Sequence, residues 1–148
     1  MSPIHIRPRR QPFEIAILVA AAICGLLLIL LDVGPPSVEL TMPAPVQAGW
    51  RVGLVLVGIG GLLGILWPGR VATGLGIELA ALLMLGTSAA MYALTLTVIS
   101  GRHSIAATSF VTAVATGSFW RAAQIVFDLR RLAKASYLES SELIGDVK

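Results

Sequence analysis

A carboxylate within a hydrophobic run is the group best able to do chemistry in this chain, and Glu78 is the acid so placed. Charged side chains are costly in hydrocarbon, so an intramembrane acid commonly marks an ion path or a contact between helices. The other reading is that the span around it begins at Leu79. The 21 residues from Leu79 to Ile99 suffice for a crossing, which would leave Glu78 in the headgroup layer. Arg70, two turns away, and the basic residues near the C-terminus are its candidate partners.

Small and hydroxylic side chains form the other patterned groups. Gly60 and Gly64 make a GxxxG pair within a glycine-rich run that also holds Gly53, Gly58 and Gly61. Such pairs let helix backbones approach closely. Ser109, Ala113 and Gly117 repeat the spacing further on, beside a hydroxyl stripe of Thr108, Thr112 and Thr116. Two readings follow: packing inside one bundle, or self-association on one stripe with a polar path along the other.

The remaining reactive types form no site. No base accompanies any serine or threonine, so there is no nucleophilic triad. GIGGLLG lacks the lysine of a phosphate loop. His5 and His103 have no ligating neighbours, and Cys24, the single cysteine, sits in an apolar run as a small packing residue. The expectation is a non-enzymatic protein with no cofactor, no bound metal, no nucleic-acid partner and no small-molecule substrate.

The elements that position these residues are apolar helices. Of 148 residues, 56% are hydrophobic and 13% charged, where a soluble domain carries roughly 25% charged residues. A basic arm, 1–12, precedes a first span at 13–33, and an extended, exposed loop rich in proline follows at 34–49. The uncleaved span is favoured over a signal peptide, whose apolar core is shorter. A second span covers 50–67, with Trp50 and Trp67 one at each interface and Arg51 and Arg70 beside them as headgroup anchors. A third covers 71–99, its 29 residues exceeding the hydrocarbon thickness. The fourth, 104–120, holds six Ser or Thr residues but no charge, and ends at the Trp120–Arg121 interface pair. A cytoplasmic amphipathic helix is expected at 121–137, continuous with the fourth span, and a disordered tail at 138–148.

The fold class is therefore all-α: an integral membrane four-helix bundle with a cytoplasmic C-terminal helical extension. Four spans put both termini on one side. That side carries Arg7, Arg9, Arg10, Arg70, Arg121, Arg130, Arg131, Lys134 and Lys148, while Arg51 and Arg102 lie opposite. Such an asymmetry places both ends in the cytoplasm. The partner expected is the lipid bilayer, with a homo-oligomer as the assembly.

With its basic N-terminal arm, the third-span start GRVATGLGIELAALL and the ending FWRAAQIVFDLRRLAKA, the chain resembles small four-span, holin-like membrane proteins of actinobacterial phages. The resemblance covers most of the chain and transfers no catalytic residue. It implies a protein that accumulates in the host cytoplasmic membrane, oligomerises and permeabilises it during lysis. Two alternatives stand beside it: a small ion or drug transporter or channel, and a structural subunit of a membrane complex. Small multidrug resistance transporters share the span count, but their membrane carboxylate lies in the first span, and the first span here is read as having none.

Overall fold

The computed structural model describes the backbone of residues 12–145, and the side chains of these residues except Ser37, Thr41 and 135–145. The basic arm up to residue 11, with His5, Arg7, Arg9 and Arg10, lies outside the described residues, as does Lys148. The described chain is helical throughout its ordered elements: α1 (Pro12–Leu30), α2 (Pro36–Thr41), α3 (Ala44–Leu66), α4 (Val71–Ser100), a 3-10 turn (Gly101–Ser104) and α5 (Ile105–Gly145). Three stretches are long and apolar enough to cross a membrane: Pro12–Leu30, Ala44–Leu66 and Val71–Lys134. The last of these folds back on itself at the 3-10 turn, so that α5 lies along α4.

Each helix rests on the one before it in the chain. Short connections force this arrangement, because helices joined by a few residues pack as antiparallel neighbours. α1 packs on α3, α3 on α4, and α4 on α5, while the short α2, within the connection from α1 to α3, rests against α4 and α3. The buried stripe of α1 is Glu14, Leu18, Ala21 and Gly25, a three- and four-residue spacing that puts them on one face. Leu18, Ala21, Val57 and Leu85 form one apolar cluster; Leu82, Ala122 and Ile125 form a second. The outward faces carry Ile23, Leu27, Leu56, Leu63, Met84 and Phe110, all exposed. A thin core inside an apolar exterior is the pattern of helices solvated by lipid.

Glycine sets the closest approach. A methyl added at Gly58 would stand 2.6 Å from the backbone nitrogen of Ala22 and from the carbonyl oxygen of Leu18, so α1 and α3 touch there backbone to backbone. At the α4–α5 turn, Gly101 adopts φ 49°, a left-handed conformation that ends the helix at no steric cost to glycine. Asp32 adopts φ 47° just after α1, which a short polar side chain tolerates.

Two boundaries differ from the sequence reading. The proline-rich stretch 34–49 is not an extended loop: Pro36 opens α2, and Pro45 lies in the first turn of α3, which starts six residues before Trp50. Proline lacks only a donor that the first turn leaves unpaired anyway, so here it starts helices. At the other end α5 continues to Gly145, through the stretch from 138 that the sequence reading makes a disordered tail. Between Gly117 and Gly145 there is neither proline nor glycine to stop it.

The hydroxyls of α4 and α5 are satisfied locally. Thr87, Thr95 and Thr97 donate to carbonyls one turn back at 2.8–2.9 Å, as do Ser109, Thr116 and Ser118 at 2.8 Å. This bonding lets serine and threonine sit in an apolar setting without an orphaned donor.

Candidate functional site

Glu78 stands on the eighth residue of α4 and is buried, with 5% of its surface exposed. The neighbour that matters is Arg121, which donates from Nη2 to Glu78 Oε1 at 2.9 Å across 43 residues of sequence. The same guanidinium places Nε 3.1 Å from Glu14 Oε2. That second contact is close enough for charge pairing but is not aligned as a hydrogen bond: Nε and Glu14 Oε1 are both buried without a hydrogen-bond partner. The side chains of Glu14 and Glu78 are 9% and 6% exposed, and that of Arg121 21%. Three helices thus contribute one charged group each: α1, α4 and α5.

Backbone packing explains how the three meet. Gly64 of α3 and Gly74 of α4 face each other, and a methyl at Gly64 would stand 2.7 Å from the Glu78 backbone nitrogen. With no side chain at either position, α4 lies flush on α3 and Glu78 is held under cover. Leu82, Ala122 and Ile125 seal the next turn of the α4–α5 seam, and Leu18, one turn beyond Glu14, is fully buried against α3. The α1 and α5 backbones do not pack on one another; the long side chains of Glu14 and Arg121 span the gap. Isolated charges are expensive to bury, so the arrangement persists only because a cation and two carboxylates share the space.

The residues expected to matter are not all brought together. Of the candidate partners of Glu78, Arg121 at the start of the basic C-terminal segment meets it, whereas Arg70 is exposed. Arg121 is therefore the centre of a buried cluster rather than a headgroup anchor. Trp67 and Trp120 are exposed. Trp50 stacks obliquely on Tyr92 at 5.8 Å, and Arg51 pairs with Asp32 at 2.8 Å. Gly64 is buried in the α3–α4 contact, but Gly60 has nothing within 4 Å of an added methyl. Ser109, Ala113 and Gly117 are exposed on α5, so that stripe takes no part in packing within one chain. Thr108, Thr112 and Thr116 instead line an outward groove of about 350 Å³ with Ala93, Thr97 and Phe119. Cys24 is exposed rather than packed.

Glu14 is the cluster residue that sequence reasoning passes over: it lies in the expected first span, 13–33, but one residue ahead of the unbroken apolar stretch that starts at Ile15. The signal was present: Glu14, Leu18, Ala21 and Gly25 follow one helical stripe, so Glu14 belongs to the buried face of the first helix.

The fold and this cluster define a class: an all-helical protein with helices long and apolar enough to cross a membrane, and with a charged group buried between them. No family model, curated protein or solved structure matches the chain.

Proposed function

We propose that this chain is a non-enzymatic protein of the cytoplasmic membrane that crosses the bilayer four times, with both termini cytoplasmic, and acts by self-association. In line with its holin-like resemblance, copies accumulate in the membrane and make it permeable during host lysis. The observation that carries this reading is the α5 face: Ser109, Ala113 and Gly117 are exposed beside a threonine-lined groove, and among the described residues no helix covers them. In lipid, small residues are the ones that let a second helix approach closely, and hydroxyls supply polar contacts or a pore lining. The four-crossing topology is supported by the antiparallel order of α1, α3, α4 and α5 and by the arginine and lysine asymmetry.

Two measurements test it. With Cys24→Ala as background, Ser109→Cys and Gly117→Cys should each give disulfide-linked dimers in membranes, and Ile23→Cys, on the opposite side of the bundle, should not. Inducible expression should collapse the membrane potential, and a large α5 substitution such as Gly117→Leu should prevent it. A monomeric crosslinking pattern with an intact potential would sink the reading.

A second reading, a small ion or drug transporter, is favoured by the Glu14–Arg121–Glu78 cluster, since buried charge in a membrane bundle commonly belongs to a transport path. Here α1 does carry a buried carboxylate, Glu14. Substrate uptake by vesicles containing the protein, abolished by Glu14→Gln, would support this reading over permeabilisation.

A further inference from the structure

The charges of the buried cluster do not balance as drawn. Two carboxylates converge on a single guanidinium, which leaves one negative charge without a counter-ion in an apolar bundle. The groups facing it from each packed element are few. α1 supplies Glu14, α4 supplies Glu78 and α5 supplies Arg121. The ionisable residue of α3, Arg51, pairs with Asp32 at the opposite end. Among the described residues, nothing else carries charge into the site.

Two candidates exist for the missing positive charge: a metal cation and a proton. A hard cation takes about six oxygens, and no group of three or more His, Cys, Asp or Glu side chains able to hold a metal occurs among the described residues. A proton needs only one donor oxygen and one acceptor. Glu14 Oε1 is such an acceptor, buried without a hydrogen-bond partner on a side chain nine-tenths buried. Neighbouring carboxyl groups that cannot both ionise share one proton, and this removes the uncompensated charge.

We propose that Glu14, Glu78 and Arg121 form a proton-binding site, in which one proton shared between the two carboxyl groups completes the charge balance and latches α1 to α5. Arg121 neutralises the carboxylate that stays ionised, and the protonated carboxyl donates to its neighbour. With the proton bound the three helices close on a neutral cluster. Its loss leaves two like charges on one cation, and the Glu14–Arg121 link, the tie between helices whose backbones do not touch, is the one that yields. This latch depends on neither permeabilisation nor transport.

Infrared difference spectroscopy of the full chain in lipid vesicles tests it directly. Wild type should show one protonated-carboxyl stretch that disappears as pH rises and shifts in deuterated water. Glu14→Gln and Glu78→Gln should each lose the band completely, because the remaining carboxylate has Arg121 to itself. Arg121→Gln should enlarge it. Helicity by circular dichroism checks each variant, and the wild-type spectrum decides the matter even where a variant does not fold. Absence of the band in folded wild type, or its persistence unchanged in both glutamine variants, overturns the proposal.

Discussion

Gly60 and Gly64 share one sequence motif but occupy different environments, which makes their alanine variants a matched pair. An added methyl at Gly60 meets nothing within 4 Å, whereas at Gly64 it stands 2.7 Å from the Glu78 nitrogen, 3.0 Å from the Gly74 carbonyl oxygen and 3.1 Å from Glu78 Cα. Those obstacles are backbone, so no side chain can rotate away and α3 must shift off α4. Replacing glycine by alanine inside a helix gains about 1 kcal/mol of intrinsic propensity, and this gain is common to both variants and cancels in their difference. What remains is the overpacking cost at Gly64, about 1–3 kcal/mol. Gly60→Ala should therefore be neutral or slightly stabilising, and Gly64→Ala less stable than Gly60→Ala by that amount. Reversible unfolding in mixed micelles, followed by circular dichroism, measures both. Because Gly64 roofs Glu78, Gly64→Ala should also weaken the Glu78–Arg121 pair, making the cost of Arg121→Gln smaller in that background. Equal stabilities for the two alanine variants would refute the assignment of Gly64, and not Gly60, to the helix contact.

Other substitutions separate the polar contacts by burial. Arg121→Gln removes the one cation of the buried cluster and should cost about 3–5 kcal/mol; Arg51→Gln, whose partner Asp32 is 92% exposed, should cost less than about 1 kcal/mol in the same unfolding assay. Gly101→Ala puts a β-carbon at φ 49° and should destabilise by about 1–2 kcal/mol, seen as a lower unfolding midpoint with unchanged helix content. Cys24 faces outward from α1, so in membranes it should react with a lipid-soluble maleimide and resist a charged one; the reverse pattern would show that water, not lipid, surrounds this face.

Much of the architecture is legible in the residues themselves. Long apolar runs with few charges determine helices long enough for a bilayer, because in hydrocarbon the backbone must satisfy its own hydrogen bonds. The turn at Gly101 and the start of α4 at Val71 follow from glycine, proline and arginine between those runs. The cluster is only half legible. Glu78 stands out because its surroundings are apolar, but the sequence does not single out Arg121, 43 residues away, from Arg70 and the other basic residues near the C-terminus, and it supplies no reason to join Glu78 to Glu14. Proline content misleads at 34–49, since the same ring that interrupts a helix interior is well suited to a first turn.

Composition and periodicity by themselves determined that this protein is helical, that its helices suit lipid, and that small residues recur at helical spacing in the second and fourth spans. Only the tertiary structure decided which small residues face a neighbour and which face outward, because that depends on how each helix is rotated about its axis, and a glycine-rich run offers similar faces in several directions. It also decided the fate of Glu78. Gly64 and Gly74 bring α3 and α4 close enough to cover it, and α5 is placed in register so that Arg121 reaches it. The packing also made Glu14, at the N-terminal edge of the first span, the second carboxylate of a buried site.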